Sequence, residues 1–310
     1  MGETLGEVGE FGLIARITAS LPSSDATLVG PGDDAAVVAT PDGRVVATTD
    51  VLVEGRHFRL GWSTPYDVGR KAAAQNLADI CAMGARPTAL LVGLAAPASF
   101  LVADAERLAA GLADEASSVG AAVVGGDVVA SDTLVLSVTA LGSLDGRAPV
   151  LRSGARAGDV LVVAGTLGGA AAGLAALRAG RDDLDAVALH RVPRPPYDAG
   201  PALALLGATA MVDVSDGLTG DLGHVARASG VGFEIDVALL PADPSVAAAA
   251  DALGVDPVEW LLGGGEDHAL VATLPPGVAS PYPVVGRAVA ESGIRWLGAT
   301  TVPPSYDHFG

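Results

Sequence analysis

The sequence predicts a two-domain α/β (α+β) protein, and three observations carry that prediction. The chain has 310 residues, about two domains at roughly 150 residues each. Half of its residues are hydrophobic and only 17% are charged, which excludes a disordered chain. Short Val-rich runs alternate with longer Ala/Leu-rich runs, the pattern of strands interleaved with helices.

Strands are expected over 35–39, 44–50, 89–94, 121–125 and 134–141. A second series covers 160–164, 210–214, 232–235, 269–273 and 284–286. Each is a short β-rich run ended by Gly, Pro or Asp, as Asp50 ends the second and Gly165 follows the sixth. Helices are expected over 67–83, 99–118, 167–179, 196–205, 217–229 and 244–253, from their length and 3.6-residue apolar spacing. The runs at 44–50 and 134–141 read as hairpin or meander strands. Periodicity fails over 144–158, which is rich in Gly, Arg and Pro, so the boundary is set between 1–148 and 149–310.

The chain carries 36 acidic and 18 basic side chains, a net charge of −18, and Lys71 is its sole lysine. That balance excludes nucleic acid and anionic membrane as main partners, since both need a basic patch. It suits a protein that binds divalent cations and, through them, phosphates. The single cysteine, Cys81, excludes an internal disulfide framework and a multi-cysteine zinc site. The N-terminus has no basic and apolar leader pattern, and the uncharged stretches 87–103 and 160–177 are broken by Pro or Gly. A soluble, cytoplasmic protein is expected.

Acidic residues cluster where apolar runs meet turn residues: Gly32-Asp33-Asp34, Thr48-Thr49-Asp50, Asp79, Gly126-Asp127, Asp213-Val214-Ser215-Asp216-Gly217 and Gly265-Glu266-Asp267. Strand ends are where α/β proteins place ligand chemistry. Each Asp alone reads equally well as a turn residue or helix cap. Asp213 and Asp216 in particular could cap the helix at 217–229. Together the clusters point to hard oxygen ligands for Mg²⁺. An acid-coated surface would instead scatter carboxylates over helix faces.

Other chemistries fail their context tests. Gly30-Pro31-Gly32-Asp33-Asp34-Ala35 fits G-x-G-x-x-A, but a strand follows and two carboxylates would face the pyrophosphate. Lys71 lies between Arg70 and Ala72, so there is no Walker A loop. No G-x-S-x-G elbow occurs. Cys81 reads as a small buried residue inside a helix. His57 is the histidine expected near a site, whereas His190 and His224 read as surface or capping residues. Trp260 and Trp296 read as core.

In order along the chain, GPGDDAAV (30–37), TTDVLVEGRHF (48–58), NLADICAMGARP (76–87), GGD (125–127), LRSGARAGD (151–159), DVSDGLTGDLGH (213–224), GGGEDH (263–268) and YDHFG (306–310) resemble the thiamine-monophosphate kinase family. The resemblance implies the two-domain aminoimidazole ribonucleotide synthetase-like fold. Its N-terminal domain would form a shared β-barrel in a homodimer, and its C-terminal domain would close the cleft. It implies ATP-dependent conversion of thiamine monophosphate to thiamine diphosphate. Asp33, Thr48, Thr49, Asp50, Asp79, Asp127, Asp213 and Asp216 would hold several Mg²⁺ ions. Among these, Asp50, Asp127, Asp213 and Asp216 are the residues on which catalysis would rest. Gly126, Asp127, Arg152 and Ser215 would contact ATP, and His57, Glu266 and Phe309 the thiamine phosphate. The family's adenine-stacking tyrosine has no counterpart in 99–118, where Phe100 is the only aromatic.

Within the superfamily, aminoimidazole ribonucleotide synthetase is the alternative, opposed by YDHFG, TTDVLVEGRHF and GGGEDH. Selenophosphate synthetase needs a reactive Cys or selenocysteine near its start, and the hydrogenase-maturation relative a C-terminal cysteine. Neither is present. A non-catalytic metal or nucleotide sensor on the same fold is the alternative from another class.

Overall fold

The computed structural model describes residues 3–29 and 36–305. It divides into two compact units. The first comprises 1–80 with 85–146, and the second 147–310 with Cys81–Gly84.

The first unit begins with α1 (Leu5–Thr18), β1 (Thr27–Val29), β2 (Val37–Val38), β3 (Val46–Val53) and α2 (Pro65–Ala82). It continues with β4 (Arg86–Ala96), α3 (Val102–Ser118), β5 (Ala122–Ala130) and β6 (Val135–Ser143). Thr4 and Glu7 form a capping box at the start of α1, and Gly9 at φ 73° kinks it. The main sheet has the order β3-β6-β4-β5. β4 and β5 run parallel with α3 as their crossover, while β6 lies antiparallel between β3 and β4. The strands at 44–50 and 134–141 are therefore antiparallel neighbours, but they are joined through α2, β4, α3 and β5 and form no hairpin.

β3 and β5 are the two edges of this sheet. The expected strand ends at Asp50 and Gly125 are overrun: β3 continues to Val53 and β5 to Ala130. An edge strand leaves one side open, so polar residues are tolerated inside it, and Thr48, Thr49, Asp50 and Asp127 all lie within strands. Opposite Leu90 and Leu91, the register of β5 shifts from Val123 to Gly125. This bulge buries both Val123 and Val124 and resets which residues of β5 face each side.

The second unit contains β7 (Val160–Ala164), α4 (Gly169–Arg178), α5 (Ala186–Arg191), α6 (Ala199–Leu205), β8 (Ala210–Asp213), α7 (Leu218–Ser229) and β9 (Gly232–Asp236). Then follow α8 (Pro244–Leu253), α9 (Pro257–Gly263), β10 (Leu270–Leu274), β11 (Val284–Val289) and β12 (Gly293–Leu297). Its mixed sheet has the order β12-β9-β11-β7-β10-β8. Alternate residues of β7 feed two cores. Leu161 and Val163 pack with Leu222 and Val225 of α7, and Val162 and Ala164 with Leu203 of α6, Met211 and Cys81. Both faces of the central strands are buried, which is why their sequences are continuously apolar. Trp260 is buried against Val246 and Ala249 of α8, and Trp296 packs half-buried on the α7-side core, so both are core residues.

Candidate functional site

In the first unit, one face of α2 serves β3 and the turn that follows it. Lys71, Gln75 and Asp79 stand at i, i+4 and i+8, one stripe of the helix. The Thr48 hydroxyl donates to Asp79 Oδ2 at 2.7 Å. Gln75 Nε2 donates to Asp50 Oδ2 at 3.0 Å. The backbone N–H of Asp50 donates to Asn76 Oδ1 at 3.0 Å, while buried Asn76 donates to the Ala72 carbonyl at 2.9 Å. Lys71 is buried and donates to the His57 carbonyl at 3.2 Å. His57 Nδ1 accepts the Val53 N–H at 3.0 Å, so the proton of a neutral His57 ring sits on Nε2.

Thr48 and Asp50 thus share the α2 side of β3, with Asp79 and His57 close by. Thr49 faces the other way. Its hydroxyl donates to the Val138 carbonyl and accepts from Thr139. Asp127 is also on that other face. The lateral row Val51, Ser137, Gly93, Asp127 lies next to the row Asp50, Val138, Val92, Gly126, and adjacent rows face opposite sides. Asp50 and Asp127 are three strand spacings apart, on the order of 14 Å. Asp127 is exposed at the rim of an apolar cavity of about 800 Å³ whose lining includes Leu91, Leu108, Leu112 and Ser137.

The second unit builds its site from two loops at one end of its sheet. The loop after β8 and the loop before β10 run side by side. His268 N donates to the Val214 carbonyl at 2.9 Å, and Glu266 N to the Ser215 carbonyl at 2.8 Å. A Cβ on Gly265 would meet the Ser215 carbonyl oxygen at 2.5 Å, so only glycine permits this approach. Glu266 (φ 68°) and His268 (φ 53°) both occupy the left-handed region, a strained conformation for non-glycine residues. Asp213 Oδ2 lies 3.1 Å from His268 Nδ1, with both side chains buried. Asp267 reaches across to the start of α4 and accepts from Gly168 N at 2.6 Å and Ala170 N at 2.9 Å. Burial pushes its carboxyl up to about 7, against the two N–H donors that hold it down.

Asp221 of α7 turns back to hold Ser215 and Asp216. Its Oδ2 accepts both of their N–H groups, each at 3.0 Å. Burial, with repulsion from Asp213 and Asp216, pushes this carboxyl up to about 7. The cap of α7 is Gly217, without a side-chain cap bond, so neither Asp213 nor Asp216 spends its carboxylate on capping that helix. Ser229 receives the N–H groups of Gly154 and Ala155 and donates to the Arg152 carbonyl, which pins the 152–155 segment to α7. Burial lowers the pKa of His224, and the charges of Arg152 and Arg227 lower it further, while Asp216 acts in the opposite sense. Arg152 and Asp216 both lie near enough to His224 to act on its charge.

Two sequence readings are corrected. His190 is buried, with Nδ1 3.5 Å from Glu266 Oε2; α5 folds it inward against the 263–268 loop. The acidic clusters are not uniformly strand ends, because Asp50 and Asp127 are strand residues and Asp79 is helical. Asp33 and Phe309 lie outside the described residues, as do the 30–35 and 306–310 motif segments. Among the described residues, no three His, Cys, Asp or Glu side chains are gathered as a metal cluster. Mg²⁺ needs no such cluster, since it commonly uses one or two carboxylates plus water and substrate phosphates. Asp50 and Asp79 beside the Thr48 hydroxyl fit that requirement. Gln75, Asn76, Asp221 and His268 are not among the residues that the sequence alone assigns to the site. Lys71 as the sole lysine, and Asp221 as a helical aspartate within DVSDGLTGDLGH, were the available signals.

Mixed α/β units of this kind, with acidic strand and loop residues in both, define a protein of the AIR synthase related class. The AIR synthase related protein, N-terminal domain family matches residues 32–144, and the corresponding C-terminal domain family matches 156–279. Thiamine-monophosphate kinase of Mycobacterium tuberculosis is 52% identical over 303 residues, covering 95% of this chain and 91% of the relative. The chain belongs to the thiamine-monophosphate kinase family. Among solved structures, thiamine-monophosphate kinase from Stenotrophomonas maltophilia K279a superposes with a TM-score of 0.81 at 32% identity, covering 93% of this chain and 95% of the other. AaThiL complexed with AMPPCP and TMP gives a TM-score of 0.81 at 34% identity over 98% of both chains. Among the described residues, no helix is long and apolar enough to cross a membrane.

Proposed function

We propose that the protein transfers the terminal phosphoryl group of ATP to the phosphate of thiamine monophosphate, giving thiamine diphosphate and ADP. The observation that carries this reading is the 52% identity to a thiamine-monophosphate kinase over 95% of the chain. The AMPPCP and TMP of the AaThiL complex correspond to the donor and acceptor of this reaction.

The acceptor phosphate needs little activation. A phosphate monoester has its second pKa near 6, so it is mostly dianionic at neutral pH. No general base is required, and the transfer is direct and in line, without a phosphorylated enzyme. The obstacle is the approach of two anions, roughly 4 kcal/mol per pair of unit charges at about 4 Å and an effective dielectric near 20. Mg²⁺, when bound, would supply the charge neutralisation that this approach needs. Thr48, Asp50 and Asp79 in the first unit and Asp213 and Asp216 in the second are the described residues assigned to it; Thr49 and Asp127 are assigned to it as well, from the opposite face of the first-unit sheet, and Asp33 lies outside the described residues. Asp50, Asp127, Asp213 and Asp216 are the ones on which the rate would depend.

Asp221 fixes the Ser215 and Asp216 backbone, and Asn76 fixes that of Asp50. Gly126, Asp127, Arg152 and Ser215 are assigned to ATP. His57, Glu266 and Phe309 are assigned to the thiamine phosphate, Glu266 as a carboxylate suited to the cationic thiazolium. Residues 1–148 carry ATP and Mg²⁺ binding in this reading. The exposed Val51, Leu91 and Val129 share the sheet face of Asp127 and suit burial by a second copy in a shared barrel. Incubation with ATP, Mg²⁺ and thiamine monophosphate, followed by chromatography of fluorescent thiamine derivatives, is expected to yield thiamine diphosphate. Its absence at high enzyme concentration refutes the reading, and a trapped phosphorylated Asp or His refutes direct transfer.

A further inference from the structure

We infer that Gln75 is a positioning residue that sets the orientation of the Asp50 carboxylate toward a divalent cation. The inference rests on the proposed reading of Asp50 as a metal ligand and goes beyond it by assigning the residue that aims it.

The geometry is specific. Two adjacent residues of α2 hold the two halves of Asp50. Asn76 accepts its backbone N–H at 3.0 Å, and Gln75 donates to its Oδ2 at 3.0 Å. Asn76 is itself fixed by its bond to the Ala72 carbonyl, with its side chain fully buried. The backbone of Asp50 is thereby tied to α2, which leaves its side chain χ1 and the rotation of the carboxylate. That torsion is broad and roughly two-fold in aspartate. The Gln75 amide selects one setting, with Oδ2 turned to the helix and Oδ1 left for another partner. One helical turn on, Asp79 accepts from Thr48, two residues before Asp50 on the same side of β3. The two carboxylates thus lie along a single helix–strand seam.

The chemical type of residue 75 also matters. A lysine there would pair with Asp50 and compete with the cation. A glutamate would add a repelling charge. A neutral amide donates one hydrogen bond and leaves the full negative charge of Asp50 for a metal. Groups that orient a ligating carboxylate are typically worth about 10–100-fold in metal affinity.

The test uses the full chain and Mn²⁺ as the probe, titrated without nucleotide and followed by electron paramagnetic resonance or calorimetry. Gln75→Met keeps the side-chain length and removes the donor, and Asp50→Asn is the reference. Gln75→Met is expected to weaken Mn²⁺ binding by about tenfold or more. Its thermal midpoint in EDTA is expected to move by no more than about 4 °C, the scale of one hydrogen bond. Gln75→Asn, with a shorter amide, is expected to bind no better than Gln75→Met. If Asp50→Asn weakens Mn²⁺ binding and Gln75→Met does not, the positioning role is refuted and the reading of Asp50 stands. If neither weakens it, both are refuted. A drop in thermal midpoint with unchanged Mn²⁺ affinity assigns Gln75 to packing alone and also overturns the inference.

Discussion

Replacing Asp221 by Asn removes a buried charge while keeping the hydrogen-bond acceptor. Both N–H groups it holds, of Ser215 and Asp216, go to the same oxygen, Oδ2. An asparagine Oδ1 can take that place. The charge is what burial penalises, raising the carboxyl from 3.8 to about 7 in the folded chain. A raised folded pKa means that the native state holds the proton more tightly than the unfolded state. Its stabilising effect is complete below about 3.8 and is lost as pH rises to about 7. The full span is about three pH units at about 1.4 kcal/mol each, roughly 4 kcal/mol. The chain has a pI near 4.4, so the usable window begins near pH 5. Between pH 5 and 8 the loss is roughly 3 kcal/mol. Denaturant unfolding of both proteins in EDTA, from pH 5 to 8, measures it. The stability of Asp221→Asn relative to the parent is expected to rise by that amount over the window, while titrations common to both proteins cancel. A difference that stays flat with pH refutes the claim that Asp221 is held against its charge.

Three further outcomes are expected. Asp50→Asn should abolish most thiamine diphosphate formation at limiting Mg²⁺ with the fold intact by circular dichroism, and an unchanged rate would remove Asp50 from the metal set. Gly126→Ala would put a Cβ 2.0 Å from the Val92 carbonyl oxygen and should lower stability by about 3 kcal/mol or more. Gly61→Ala meets nothing within 4 Å and should be near neutral, so equal thermal midpoints for the two variants would contradict the packing of β5 on β4. Cys81 is buried, and burial pushes its thiol up to about 12, so a thiol reagent should label it only after denaturation. Stoichiometric labelling of native protein would show that the end of α2 opens.

Elements whose burial follows a simple period could be read directly. β7 and α8 fall on their expected bounds, because one is a continuous apolar run between turns and the other begins at Asp243-Pro244 and ends before Gly254. α1 was illegible because Gly6, Gly9 and Gly12 erase the helical pattern and Gly9 breaks the helix backbone. α5 is too short, at six residues, to show a helical period, and β12 interrupts its apolar residues with Gly293 and Arg295. α9 carries a usable signal, the Asp256 cap followed by Pro257. At the site, the residue types were legible and their grouping was not. Aspartate reads as punctuation in a strand pattern, whereas β3 and β5 are sheet edges and carry it internally. That Asp127 and Asp50 face opposite sides depends on strand order and on a bulge, neither of which has a local sequence signature. The buried supports, Gln75, Asn76, Asp221 and His268, sit among ordinary helix and loop residues and are identified by their partners alone.

The four residues Cys81–Gly84 belong to the second unit although first-unit chain flanks them on both sides. Cys81 and Ala82 fill the same apolar layer as Leu203, Met211 and Leu270. A fragment that starts at Arg147 would therefore be born with a hole where those side chains go, and a fragment that stops at Gly146 would carry a greasy plug with nothing to enter. Neither half is a portable module.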